Sequence, residues 1–479
     1  MSDLPTGRRA FLRQSAFAVG AVAAPMELLG NSVLPTYLRQ EWQVFKTGTH
    51  YNALINAIRT MKANTNANDP SSWTYWVNIH QTRCPHGIAY FLGWHRGYLY
   101  HFEKRLRIVS GDSGLVLPYW DYYSNPNLPA EFADPASANP LYVERVNTNV
   151  KPALSMDPFS PFLINFQTGK SDAFEPSVET APHNTLHNIV GGVMSDMQSP
   201  IDPIFWLHHA NVDRLWVAWV SAAGGRKMPA KSTSYWAGNY VYTSALTLAR
   251  TQTYDTRTNL AYYYQNEKMP TTLPALAAGE SSVFAEGRGG ARVQAPPAVG
   301  TFKLSNPRAT GDGTFSVAGA LQVGLDERSV SVQLPVSSEY GQAISKIAGG
   351  KPASVRGAAI LFNTIHLVLD NVELTATGAN GGYFYKVNMN LPAARDGSSA
   401  PRTLLIGTLG PFQVRAAQHH GNRARLRYRV TQWLRAVPVI DIGMVTVSFV
   451  RVNGERSPAG AVLHIGEVRM EVSAEDDAP

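Results

Sequence analysis

Asp202-Pro203-Ile204-Phe205-Trp206-Leu207-His208-His209-Ala210-Asn211-Val212-Asp213-Arg214-Leu215-Trp216 is the stretch on which the reading of this 479-residue chain turns. Apolar and aromatic side chains recur along it at helical spacing, with a histidine pair in their midst and Asp213 one turn after His209. A carboxylate at that separation can bond a ligand's partner or orient the helix. Adjacent helical residues point about 100° apart, so the spacing lets at most one of His208 and His209 share an ion with ligands from another helix. His208 is therefore read as a packing or supporting residue.

Upstream, His183-Asn184-Thr185-Leu186-His187 sets two imidazoles one turn apart on one helix face, where both can point at a single metal ion. Pro182 stands just ahead, a position that a helix start tolerates. The same spacing also fits an ordinary surface pair, and Asn184 stands where a zinc-protease helix needs its glutamate base. Further upstream the aromatic run from Trp73 ends in His80, followed by Cys84-Pro85-His86 and by Phe91-Leu92-Gly93-Trp94-His95-Arg96. One such histidine reads as a satisfied core residue; three embedded in aromatics read as a site. Clustered imidazoles without a carboxylate ligand suit copper better than the oxygen-rich sites of paired iron or manganese.

Composition narrows the rest. Hydrophobic residues make up 44% and charged ones 16%, which excludes a disordered tail or a coiled coil. The charge of +7 is spread without a basic run, so nucleic acid is not an expected partner. The single cysteine, Cys84, excludes a disulfide framework and any multi-cysteine metal site. No apolar run approaches the ~20 residues that cross a bilayer, so no stable membrane insertion is expected. The sequence leaves the oligomeric state open.

The N-terminus pairs Arg8 and Arg9 ahead of Phe11-Leu12, a weakly apolar Ser15 to Ala24 and a small-residue exit at Ala21-Val22-Ala23. Residues 1–25 therefore resemble a twin-arginine-type signal peptide, which implies a periplasmic or secreted product. Residues 30–269 read as mainly helical. Residues 270–300 shift to Pro, Ala, Gly and Ser and read as a linker. From 301 to 479 the period becomes two, as in Val445, Val447 and Phe449, and Asn380-Gly381 and Asn453-Gly454 supply turns; this reads as a β-sandwich.

The motifs together resemble those of the type 3 copper proteins: tyrosinases, catechol oxidases and the related haemocyanins. His86 with Phe91-Leu92, Trp94-His95-Arg96, Leu99 and Glu103 is similar to one signature, and Asp202-Pro203, Phe205-Trp206, His209 and Asp213 to the other. The fold class this implies is α+β: a helical dicopper domain with a four-helix-bundle core, then a C-terminal β-sandwich like the one that shields the site in plant polyphenol oxidases, with a plain structural role as the other reading. The resemblance implies His80, His86 and His95 for one copper and His183, His187 and His209 for the other, with O2 as co-substrate and a small phenol as substrate. Monophenols would be ortho-hydroxylated, o-diphenols oxidised to o-quinones, or both. Diphenol-only oxidation and reversible O2 carriage are the alternatives, whereas a zinc hydrolase lacks a placed base. Glu179 and Asn184 match positions that hold a water for deprotonating a monophenol, against a plain reading as a helix-dipole acid and a solvent-facing amide. Cys84, two residues before His86, matches a cysteine that forms a thioether to the imidazole in some members, against an unmodified buried thiol. Met197 or Asp196 takes the gate position, and His419-His420 reads as a solvated loop.

Overall fold

The computed structural model describes residues 37–136, 138–275, 297–311, 313–391, 402–419, 423–435 and 442–475. The expected signal at 1–25, most of the expected linker and His420 lie outside them. Residues from Tyr37 onward pack as one compact unit.

Its first part is helical: α1 (Tyr51–Ala63), α2 (Trp73–Arg83), α3 (Phe91–Ser110), α4 (Thr185–Val190) and α5 (Ile204–Ser221). Helix α3 packs against both α1 and α5. Its apolar stripe of Phe91, Leu92, Tyr98, Leu99, Phe102 and Leu106 is fully buried. Phe102 lies flat on Trp206 of α5, with ring centroids 3.4 Å apart. Gly93 and Gly97, on either side of His95, leave room for a tyrosine pair: a Cβ at Gly93 would collide with the Tyr240 hydroxyl and one at Gly97 with that of Tyr242. Strand β1 (Tyr37–Arg39) pairs in parallel with β2 (Tyr262–Tyr264), fastening the two ends of the helical region.

Two buried charge clusters lock this framework. Asp213 accepts hydrogen bonds from Arg96 Nε (2.6 Å), Tyr262 (2.6 Å) and Tyr264 (2.5 Å). Burial pushes its carboxyl up, but Arg96, Arg39 and the two tyrosines outweigh that and hold it below the usual carboxylate range. Glu103 accepts from Arg39 (2.8 Å) and from the Leu117 amide (2.9 Å).

The second part begins near Gly300, whose amide bonds Ser331. Met269 and Leu273 still pack on the helical core, so the first residues of the expected linker belong to the preceding domain. Strands β3 (Lys303–Ser305), β4 (Arg308–Gly311), β5 (Thr314–Leu325), β6 (Val330–Pro335), β7 (Thr364–Leu374), β8 (Tyr383–Leu391), β9 (Arg402–Leu409), β10 (Ala424–Arg429), β11 (Met444–Asn453) and β12 (Leu463–Ser473) form two sheets. One runs β9-β8-β11-β6 and the other β10-β7-β12-β5-β3, with β4 on β5. Their inner faces bury a separate core that includes Val323, Leu367, Val387, Val447 and Val468. Three helices that the period-two reading did not anticipate interrupt the strands: α6 (Ser338–Ala348), α7 (Pro411–His419) and α8 (Thr431–Arg435). Among the described residues no helix is long and apolar enough to cross a membrane.

Candidate metal centre

Six histidines from α2, the loop after it, α3, the approach to α4, α4 itself and α5 converge in the helical core, each at most 6% exposed. The backbone orients three of them directly. His80 Nδ1 donates to Met197 O (2.8 Å), His95 Nδ1 to Phe91 O (2.8 Å) and His187 Nδ1 to Met194 O (2.6 Å). His183 Nδ1 donates to Asn184 Oδ1 at 2.9 Å. Each bond fixes the neutral tautomer with its Nε2 lone pair turned inward, the arrangement that metal-bound imidazoles adopt. The Nε2 atoms of His80, His95 and His187 are buried without a hydrogen-bond partner.

His183 Nε2 and His209 Nε2 stand 3.3 Å apart. Two inward lone pairs at that distance repel unless a cation lies between them, and about 3.3 Å is the edge of a tetrahedron whose ligands sit at about 2.0 Å from a metal. Ring nitrogens of His80, His95 and His209 also fall within 4.8 Å of one another, as do ligand atoms of His80, Cys84 and His86. Burial holds the imidazoles neutral, His80 at about 4 and His187 at about 3. In His95, His183 and His209 burial and mutual repulsion lower the pKa together. A nitrogen-rich, soft-to-borderline donor set without carboxylates fits a pair of copper ions.

Around this cluster the walls are aromatic: Phe91 touches His95 (4.7 Å between centroids) and His183 (4.6 Å), and Phe205 touches His209 (4.2 Å). The helix bearing His183 is broken at Ala181 (φ −156°, ψ 132°) and restarts through Pro182, so Glu179 comes off a separate turn. Glu179 is buried and its Oε1 accepts from the Gly87 amide (2.6 Å), beside His86. Burial, reinforced by Glu175, raises its pKa to about 8.

The family model described as the common central domain of tyrosinase matches residues 70–162 and 133–222, which hold all six histidines. A tyrosinase of Streptomyces glaucescens is 31% identical over a region covering 70% of its length and 32% of this chain. The chain belongs to the tyrosinase family. A Hahella tyrosinase is 32% identical over 35% of this chain and 50% of its own length, so the chain spans about half of that relative. It spans only 5% of the Megathura crenulata Hemocyanin 1, at 32% identity. In fold, latent apple tyrosinase matches 92% of the chain and is itself covered to 98%, with a TM-score of 0.50 at 20% identity.

Against this tyrosinase framework, the remaining candidates separate by position. Asp213 makes its bonds to Arg96, Tyr262 and Tyr264, so it acts on the helix that carries His95. Asn184 Oδ1 is turned to His183, and Glu179 is turned to Gly87. Cys84 is a buried free thiol, and burial pushes its pKa up. Met197 is buried and offers its carbonyl to His80, whereas Asp196 pairs with Arg415 at 3.2 Å. His50 pairs with Asp112 at 2.6 Å, away from the cluster. His419 is exposed and closes α7, where the sequence reading placed a loop.

One residue escaped sequence reasoning. Phe412, on α7 of the sandwich, lies flat on the His187 ring at 4.1 Å and 18°, and edge-on to His86 (5.1 Å) and His183 (5.5 Å). Its amide donates to Asn188 Oδ1 (2.9 Å), and Asn188 Nδ2 donates to Gln413 (2.7 Å). Gly410 permits the approach, since any side chain there would meet Asn188. Nothing in the sequence around Gly410-Pro411-Phe412 marks it as facing a site 200 residues earlier in the chain. His208, read from the sequence as a packing or supporting residue, is fully buried beside His183 and His187.

Proposed function

We propose that the protein is a copper-dependent oxidase of phenols that uses O2, and the observation carrying this reading is the convergence of six buried imidazoles. His80, His86 and His95 hold one copper, and His183, His187 and His209 the other. Bound copper supplies the two-electron chemistry that couples reduction of O2 to conversion of a phenol to an o-quinone. The chain supplies fixed ligand tautomers, an apolar aromatic chamber that limits water, and a slot shaped for a flat ring, now filled by Phe412. Glu179, buried beside His86 with its Oε1 on the Gly87 amide, is the carboxylate placed to take up, once copper is bound, the proton that a monophenol releases through a held water. Asn184 steadies the His183 ring and, with Glu179, frames that water.

The sandwich acts as a shield. Phe412 occupies the space above His187 that a substrate ring needs, and Arg415 anchors the same helix to Ser195 (2.8 Å) and Asp196 (3.2 Å). The buried seam, with Asn188, Asn147 and Gly382 bonded across it, makes the resting contact a specific one. In the mature protein the Cys84 sulfur is bonded to a ring carbon of His86: the S–H and one ring C–H are lost, a C–S bond forms, and O2, the co-substrate of the proposed activity, takes the two electrons and two protons. Residues 1–25 direct export to the periplasm or beyond.

Initial rates of copper-loaded protein on a catechol and on the matching monophenol test the activity. Quinone from both supports the full reading; quinone from the catechol alone makes this a catechol oxidase. Reversible O2 binding with no quinone, before and after the sandwich is cleaved away, overturns it in favour of carriage.

A further inference from the structure

His208 has no role in the arrangement described so far, yet it is fully buried and neither ring nitrogen has a hydrogen-bond partner. Leaving a buried polar group unmatched is unfavourable, so its position calls for a partner. The ring stacks on His183 at 5.3 Å and 21°, and stands 5.1 Å from His187 and 5.2 Å from His209. Ring nitrogens of His183, His187, His208 and His209 lie within 4.8 Å of one another, all four side chains buried. Helical geometry alone predicts that His208 and His209 diverge. They converge here because both meet the same ring: His208 stacks on His183, while His183 Nε2 faces His209 Nε2.

We propose that His208 is a fourth nitrogen donor to the second copper, engaged when that ion is bound alone. The inference rests on the copper assignment above. Cu(II) favours four ligands in a tetragonal set, and a fourth imidazole without a competing partner completes one. Among the described residues, the His80 side has no equivalent: its groups comprise His80, His95 and His209, or His80, Cys84 and His86. The second site therefore fills first and empties last, and it keeps its ion while the pair is incomplete. When both ions are present, three donors each leave positions open for O2 and phenol, and His208 returns to its stack on His183.

The test uses the full chain with His80→Gln and His95→Gln, which disables the first site, loaded with one equivalent of Cu(II). Electron paramagnetic resonance, with pulsed methods to count coupled imidazoles, gives four nitrogens in this parent. Adding His208→Phe, which keeps a ring in the stack, leaves three and weakens copper binding in a chelator competition by about 10- to 100-fold. The melting temperature of each copper-free variant reports whether the fold is kept. Three nitrogens in the parent itself overturn the proposal, whatever the fate of the Phe variant, and so does unchanged affinity in a folded His208→Phe chain. A parent that binds no copper overturns the copper assignment beneath it.

Discussion

Replacing Phe412 by Ala removes the ring that lies on His187 at 4.1 Å but keeps the backbone bond to Asn188 (2.9 Å). Phenyl ring and phenol compete for one apolar slot, so the ring's own docking energy is the barrier a substrate must overcome. Burying a Phe side chain contributes about 1.5–3 kcal/mol, and its stack on the imidazole adds about 0.5–1 kcal/mol. Taking about 2–3 kcal/mol as the part lost, the accessible fraction of sites rises roughly 30- to 150-fold at 1.4 kcal/mol per decade. The apparent KM for a catechol falls by that order, while copper content stays at the wild-type value. Quinone absorbance against catechol concentration gives KM, and copper is measured on the same sample. The variant also loses stability, because a cavity opens at the domain seam. An apparent KM within twofold of wild type in a fully loaded, folded variant refutes the claim that this ring bars the site.

Asp213→Asn strips the charge that Arg96 and Arg39 share in a buried cluster, so the chain loses about 3–5 kcal/mol in a urea titration. Copper bound per folded chain changes little, because Asp213 bonds no imidazole. Cys84 in copper-matured protein resists alkylation after denaturation and reduction, and its peptide with His86 is two hydrogens light; a freely alkylated Cys84 sinks the cross-link. Glu179 has a folded pKa of about 8 against an ordinary 4.5, so the native copper-free chain holds a proton there that the unfolded chain has released. Its stabilising effect is complete below about pH 4.5 and is lost as pH rises through about 8, at up to about 1.4 kcal/mol per pH unit. Glu179→Gln removes that slope; an unchanged slope means that the carboxyl titrates normally.

Much of the site was legible because its chemistry sits in local spacing. The H-x-x-x-H of His183 and His187, the aromatic frame of His95 and the run from Asp202 to Asp213 each depend on one helix and its neighbours in sequence. The sandwich was legible from alternation such as Val445, Val447 and Phe449. Its helices were harder to see. In α6 the buried Ala343, Ile344 and Ile347 follow a helical period inside a segment dominated by strand signals. The pairing of Tyr37–Arg39 with Tyr262–Tyr264 is a contact between distant segments, which no local pattern encodes. Phe412 belongs to the same class, since its meaning comes from how two domains dock. His208 was legible as a packing residue, but its nearness to His183 and His187 comes from how two separate helical segments meet, which the spacing within one helix does not carry.

The account stands most directly on copper counted per chain in the full-length protein and in two variants, His95→Ala and His209→Ala combined with His208→Phe. Two ions in the parent and one in each variant, with catechol oxidation lost in both, is the predicted result. Two ions retained in either folded variant would contradict the assignment of these histidines to two separate triads.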